Sequence, residues 1–579
     1  MSSDADEVLA RARAWAKADP DPKTRAELEA LITAQDTQRL GELFASPLRF
    51  GTAGLRAELG PGPARMNALV VVSTTAALAE HLKGQQALHA GSSWPTGGPG
   101  KDISVVVGHD ARHGSAEFAL WAARTVASAG LTALHFPSAL PTPLTAFAVR
   151  KLGASAGIMV TASHNPARDN GYKVYMADGA QVIAPHDEAI ERLRDRQAPG
   201  CREASTGSDG VVELDEQSLV SEYTGAVSRV LGAVAPRELK CAYTPLHGVG
   251  GNVLPAMMQE LGFGRPVVVA EQFEPDPQFP TAKYPNPELP GTLDLVLALA
   301  ASTGAELVLA NDPDADRLAV ALPDPSTDSY RALSGDELGV LIADHLIRTT
   351  AGDNRMVATT VVSSSMLGKL AAARNVAYQE TLTGFKWLAR SAMGHPGYRL
   401  LLAYEEALGY AVSQEVADKD GISAAMVVAQ MVVEAKDQGR TLLSRLDELS
   451  MELGAHMTRQ LSVTFAGPSP MAAMARVVAR LADDPPTQLA GQQLELVRDL
   501  SKPGTGLPPS PVLVLNFTGG ARVVLRPSGT EPKLKVYLEV ATGPCGRNDL
   551  QPARQAARRL LTALGSDLAK LNASMVGQP

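Results

Sequence analysis

Three times along the chain a short β-branched strand runs into a Gly/Ser/His loop and then into helix-like sequence: SVVVGHDARHGS (104–115), LKCAYTPLHGVGG (239–251) and MVATTVVSSSMLG (356–368). A second strand follows each of them: LTALHF (131–136), RPVVVAEQF (265–273) and VAYQETLTGF (376–385). A third comes next: AGIMVTASHNP (156–166), AELVLANDPDADR (305–317) and RLLLAYEEALGY (399–410). Strands alternating with helical stretches build βαβ units and mainly parallel sheets. Ligands in such sheets sit beyond the carboxyl ends of the strands, where TASHNP, NDPDADR and YEEALGY place the most chemically loaded residues. Sequence identity between the three units is negligible, so the repeat rests on order alone, and one irregular α/β protein is the alternative.

With 579 residues the chain exceeds what one core organises, and three or four domains are expected. The reading is an N-terminal helical appendage at 1–45, α/β domains at 46–220, 221–328 and 329–455, and a C-terminal α+β domain at 456–579. The appendage reads as two amphipathic helices, 5–17 and 24–45. In the last domain, alternation in ARVVLRPS and KLKVYLEV fits antiparallel strands with one wet face. GSSWPTGGPG (91–100) is a surface loop, and its GGPGK lacks the spacing of a P-loop.

A net charge of −9 argues against nucleic acid or an anionic membrane as partner, while a small phosphorylated ligand needs only a local basic pocket. Cys201, Cys241 and Cys545 are scattered and give neither a zinc site nor a disulfide framework. The N-terminus has no signal-peptide core, and no window approaches the roughly 20 apolar residues of a membrane span. A cytoplasmic protein is expected.

In NDPDADR, an extended backbone would project Asp312, Asp314 and Asp316 to one side. Like charges that close need a cation, and oxygen ligands suit a hard ion such as Mg²⁺. An EF-hand is excluded, because Arg317 and Pro323 stand where glycine and a bidentate glutamate are required. An acidic surface turn is the plain alternative. Ser163 and His164 lack a GxSxG elbow, and such a pair commonly caps a turn. Facing a metal, Ser163 is better suited to carry a phosphoryl group, which would add an anionic ligand. Lys173 in DNGYKVY is either a solvated strand lysine or a general acid/base for a sugar hydroxyl. RPSGTEPK offers Arg526, Ser528, Gly529, Thr530 and Lys533 as a phosphate grip or a simple hairpin turn. Glu405 and Glu406 are acceptors suited to sugar hydroxyls.

FGTAGLR (50–56), TASHNP with NGYK, NDPDADR and RPSGTEPK, in this order, resemble the α-D-phosphohexomutase superfamily of phosphoglucomutases and phosphomannomutases over roughly residues 40–545. The resemblance implies four domains around a central cleft, three related α/β domains and a smaller C-terminal one. It implies that Ser163 is phosphorylated in the active enzyme, with its phosphate joining Asp312, Asp314 and Asp316 on Mg²⁺. Arg56 and Lys173 match residues at the reacting phosphate, with His164 in the catalytic loop. Glu406 matches the sugar-recognition glutamate, and Arg526, Ser528, Gly529 and Thr530 the phosphate-binding loop; Arg317, His247 and Lys386 fall in cleft-lining loops. Many members read Gly-Glu-x-Ser-Gly in the sugar loop, whereas this chain reads EEALG, with Leu408 in place of the serine. That form, the N-terminal helices and GFKW look more like the branch of phosphopentomutases and glucose-1,6-bisphosphate synthase-like proteins.

The expected reaction interconverts a glucose or mannose 1-phosphate with the 6-phosphate through phosphoserine and a bound 1,6-bisphosphate, with glucose 1,6-bisphosphate as activator. The alternatives are a phosphopentomutase, a Mg²⁺-dependent sugar-bisphosphate synthase or phosphatase, and a non-catalytic sugar-phosphate sensor. The protein is expected as a monomer or homodimer.

Overall fold

Continuous apolar runs become central strands, as burial on both faces of a parallel sheet requires. The computed structural model describes residues 2–88, 102–196, 210–232, 237–395, 397–465, 469–528 and 533–576. The loop at 91–100, Cys201, Gly529 and Thr530 lie outside these described residues. The chain divides into two units, Met1–Ala332 with Leu408–Val433, and Leu333–Ala407 with Glu434–Pro579.

In the first unit, Ser104–His109 pairs in parallel with Thr132–His135 on one side and Ala156–Val160 on the other. Helices Ser115–Ser128 and Thr142–Lys151 make the two crossovers. Antiparallel Asp169–Met176 and then Leu55–Glu58 extend one edge, and parallel Val211–Glu213 the other, giving six strands. Val105, Val107, Ile158 and Val160 pack against Phe118, Ala122 and Val126 of the first crossover helix. The next sheet repeats the order. Cys241–Thr244 lies between Val267–Val268 and Leu307–Ala310, both parallel, with antiparallel Ala319–Asp324 and Ser329–Ala332 beyond.

In the second unit, Arg355–Thr360 has Ala377–Thr381 and Arg399–Glu405 as parallel neighbours. All three sheets therefore put the first strand in the middle, the second on one side and the third on the other. The repeat inferred from element order is carried by topology. Each third strand also leads into a loop with a non-glycine residue in left-handed conformation: Ser163 (φ 54), Ala315 (φ 56) and Leu408 (φ 61). Such residues cost on the order of 1 kcal/mol or more and persist where the surroundings enforce them.

The C-terminal sheet of the second unit is antiparallel with six strands, in the order His456–Thr464, Lys533–Ala541, Ala521–Pro527, Leu513–Phe517, Gln492–Asp499 and Gln488–Leu489. Helices Pro470–Asp483 and Leu550–Val576 cover one face through Val477, Leu481 and Leu564 against Leu515, Val523 and Leu538. The expected wet face is dry at its centre. Val514, Val524 and Tyr537 pack on Val361, Val362 and Leu382 from the turn and loop of the preceding sheet, and the alternation in KLKVYLEV marks two different cores.

The N-terminal appendage holds three helices rather than two: Ser2–Ala18, Pro22–Thr33 and Thr37–Leu43. The expected second helix breaks at Gln35 (φ 51), where Asp36 accepts the Arg39 N–H at 3.0 Å and caps a new helix. Ala12, Ala16, Leu28, Leu40 and Phe44 form the small core between them. No helix among the described residues is long and apolar enough to cross a membrane.

Candidate active site

The loop after Ala156–Val160 is held from beneath. Thr161 Oγ1 accepts the Ser163 N–H at 2.8 Å and donates to Asp110 Oδ2 at 2.6 Å. Asp110 Oδ1 also takes the Ser115 hydroxyl at 2.6 Å. Arg112 donates to the carbonyls of Ser163, Asn165, Pro166 and Asp169, and its guanidinium lies 4.8 Å from the Phe279 ring centroid. One arginine thus ties together four carbonyls along residues 163–169. The result is a fixed turn that holds the Ser163 hydroxyl on a residue only 1% exposed.

Ser163 Oγ donates to Asp312 Oδ2 at 2.6 Å and lies 3.1 Å from His164 Nδ1. Burial, with the Arg317 and Arg56 charges, holds the His164 imidazolium form well below its ordinary range, so the ring is neutral. Asp312, Asp314 and Asp316 come together, with one oxygen from each within 4.8 Å of the others. They do so by a turn, not by the extended run read from the sequence. Ala315 is left-handed, and its N–H closes on Asp312 O at 2.8 Å. Thr142, opening the second crossover helix, donates to Asp314 through its N–H (2.9 Å, to the carbonyl) and its hydroxyl (2.7 Å, to Oδ2).

Lys173 is wholly buried, with Nζ 2.8 Å from both Asp314 Oδ2 and Asp316 Oδ2. Burial alone would lower its pKa, but the Asp314 and Asp316 charges outweigh burial and raise it, so it stands as an ammonium. Asp316 is held low despite burial by Lys173, Lys419 and Arg317. Asp312 is pushed well above the usual carboxylate range, by burial first and then by Asp314 and Asp316. Arg56, paired across the strands with Gly171, carries a buried Nε without a hydrogen-bond partner. Arg317 donates its N–H to Asp312 Oδ1 at 3.0 Å, and its guanidinium meets Glu288 Oε2 at 3.0 Å.

Asp110, Arg112, Thr142, Lys419 and Asp418 were not singled out by sequence. Lys419 Nζ sits 3.3 Å from Asp316 Oδ2, and Asp418 Oδ2 takes the Tyr175 hydroxyl at 2.9 Å and the Gln181 amide at 2.7 Å. HDARHG does carry a signal, as a polar run ending a buried strand. ADKDG had none, because its partners lie a hundred residues or more upstream. His247 is bonded to Thr281 Oγ1 at 2.8 Å. Its neighbour Gly248 is pressed against the loop of the three aspartates, with room for no side chain beside Pro313.

The second unit holds the other candidates. Glu405 ends the strand Arg399–Glu405, and Glu406 Oε2 accepts from Ser363 Oγ at 3.2 Å. Arg526 hydrogen-bonds Tyr537, whose hydroxyl is raised by burial and then by Glu406. These side chains form one group. Lys386 lies on the short helix Phe385–Leu388, and the Ser528 N–H meets Lys533 O at 2.8 Å.

The buried Asp314 Oδ1 and Asp316 Oδ1 have no hydrogen-bond partner. Acceptors of this kind, in a set of three carboxylates, fit a hard divalent cation. A serine hydroxyl at the edge of such a set, with a buried arginine and lysine, is equipped for phosphoryl transfer.

Residues 47–199, 221–325 and 334–450 match α/β/α domains I, II and III of phosphoglucomutase/phosphomannomutase, and 497–544 match its C-terminal domain. The chain belongs to the phosphoglucomutase/phosphomannomutase family, and is an isomerase of the intramolecular phosphotransferase type. It is 38% identical to a probable phosphomannomutase of Haemophilus influenzae, over 82% of this chain and 93% of that one. It is 33% identical to a phosphopentomutase of Homo sapiens, over 95% and 94%. A phosphoglucomutase of Staphylococcus aureus is 31% identical over 86% and 90%. The fold is shared with a putative phosphomannomutase of Thermus thermophilus, with a TM-score of 0.67 and 23% identity over 91% of this chain and 99% of that one.

Proposed function

We propose that the protein is a phosphosugar mutase in which Ser163 carries the phosphoryl group between the two positions of a sugar phosphate. The observation that carries this reading is the Ser163 hydroxyl 2.6 Å from Asp312 Oδ2, beside carboxylates with unspent acceptors. Asp312, Asp314 and Asp316 would hold Mg²⁺, which supplies charge neutralisation and polarisation of the phosphoryl group.

In the first half-reaction the bond from Ser163 Oγ to phosphorus breaks and one from the sugar hydroxyl to phosphorus forms. With the Asp314 and Asp316 charges offset at the triad, Lys173 is no longer held as an ammonium; as amine it takes the hydroxyl's proton, and that same proton passes on to Ser163 Oγ. In the second half the bisphosphate gives its other phosphate back to Ser163, whose hydroxyl proton passes by way of Lys173 to the departing sugar oxygen. Arg56 faces the charge that spreads over the transferring oxygens, and neutral His164 orients Ser163 Oγ. In the second unit, Lys386, Glu405 and Glu406 are assigned to the sugar, and Arg526 and Ser528, with Gly529 and Thr530, to the non-reacting phosphate. Glucose 1,6-bisphosphate would prime Ser163.

For the sugar, glucose or mannose phosphate is the first reading. Pentose phosphate is the second, favoured by Leu408, which is buried and offers no hydroxyl in the sugar loop. The test is phosphorus NMR of the Mg²⁺-loaded protein with glucose, mannose, ribose and deoxyribose 1-phosphates, with and without glucose 1,6-bisphosphate. Net isomerisation supports the mutase and names the sugar; release of inorganic phosphate without isomerisation replaces it with a phosphatase.

A further inference from the structure

The segment between the second strand and the helix Asp294–Thr303 is long and proline-rich, EPDPQFPTAKYPNPELPG (274–291), and mostly irregular. It runs along both halves of the site in the first unit. Phe279, itself left-handed at φ 48, lies under the Arg112 guanidinium. The Gln278 amide meets His113 at 2.7 Å. At its far end, Glu288 Oε2 lies 3.0 Å from Arg317. Arg317 therefore stands between two carboxylates, Asp312 on the metal loop and Glu288 on this strap, and its side chain is only 12% exposed against 35% for Glu288.

We infer that Glu288 is a positioning residue that acts through Arg317, competing with the Ser163 phosphoryl group for the same guanidinium. The inference rests on the mutase reading. Ser163 Oγ and the Arg317 side chain both lie against Asp312 Oδ2, at 2.6 Å and 4.0 Å, so a phosphate on that oxygen arrives beside the arginine. A guanidinium offers a planar fork that suits phosphate as well as carboxylate. Without Glu288, Arg317 would be drawn further to the phosphoserine and would stabilise it as a resting state. Glu288 withholds part of that attraction until charge spreads over the transferring group. No bond is made or broken in this step; one ion pair exchanges for another.

The experiment compares wild type, Glu288→Gln, Glu288→Asp, Arg317→Gln and the Glu288→Gln/Arg317→Gln pair. Each is phosphorylated with glucose 1,6-bisphosphate and Mg²⁺, freed of sugar, and followed by intact mass for loss of the phosphate to water. Glu288→Gln is expected to lengthen the phosphoenzyme half-life by up to about fivefold, the range of a partly exposed ion pair. Glu288→Asp should keep the wild-type half-life, and the Gln substitution should have no effect in the Arg317→Gln background. Equal half-lives for wild type and Glu288→Gln, or an effect that persists without Arg317, overturn the inference alone. No phosphoserine in any of the five proteins overturns the mutase reading, and this inference with it.

Discussion

Replacing Lys173 with methionine keeps the length of the side chain and removes its charge. Lys173 and its two carboxylate partners are at most 1% exposed, with both contacts at 2.8 Å. Deleting one partner of a buried ion pair costs about 3–5 kcal/mol, because the other charge is left in a medium that cannot solvate it. Here the loss is uneven. Asp316 keeps Lys419 at 3.3 Å, whereas Asp314 Oδ2 keeps the neutral Thr142 hydroxyl at 2.7 Å, with the Arg56 charge acting through space. A net destabilisation of about 4 kcal/mol follows, a fall in melting temperature on the order of 5 °C. A divalent cation at the triad would replace the missing charge. At a concentration a hundred times its dissociation constant it would restore about 2.7 kcal/mol. Scanning calorimetry of metal-stripped protein, with and without Mg²⁺, is the assay. The account expects a large destabilisation of Lys173→Met without metal and a larger Mg²⁺-induced upward shift than in wild type. Equal stability of the stripped proteins, or an equal Mg²⁺ shift, would refute the charge reasoning.

Ser163→Ala should show no phosphoserine and no steady mutase turnover while keeping its melting temperature within a few degrees; near-normal turnover would discard the phosphoserine route. Gly248→Ala places a Cβ against Pro313 Cα, so the loop of the three aspartates must shift, and Mn²⁺ titration should show roughly tenfold weaker binding. Buried Asp336 is raised to about 6, chiefly by burial, against the opposing Ser364 N–H. The folded chain then keeps a proton that the unfolded chain releases near pH 4, so stability falls between roughly pH 4 and 6, by about 3 kcal/mol. Asp336→Asn should flatten that fall, raising the urea midpoint at pH 7 while leaving it unchanged near pH 4.

The three βαβ units were legible because buried parallel strands read as unbroken apolar runs, and the polar residues ending them stand out against that background. Ser163, Asp312, Asp314, Asp316 and Lys173 do meet in one place. What was hidden depends on distant partners or on backbone torsion. The triad was read as extended because alternation alone cannot reveal a left-handed Ala315. Arg112 works through carbonyls some fifty residues downstream, and Lys419 meets Asp316 from a separate excursion of the chain. The strand holding Tyr537 and Glu539 kept its alternation, yet both faces are buried. Glu539 takes hydrogen bonds from Ser364 at 2.8 Å and His456 at 2.8 Å, with Arg522 at 2.7 Å, and no pattern within the strand announces those partners.

The sharpest test of a phosphoryl-carrying Ser163 beside a cation-binding triad is peptide-level mass spectrometry. The protein, with Mg²⁺, is exposed to glucose 1,6-bisphosphate and then to a sugar 1-phosphate. The account predicts one added phosphate on the peptide containing Ser163, lost on the second addition and never gained by Asp312→Asn/Asp314→Asn. A phosphate on any other residue, or an unmodified Ser163 peptide in a protein that still isomerises sugar phosphate, would contradict it.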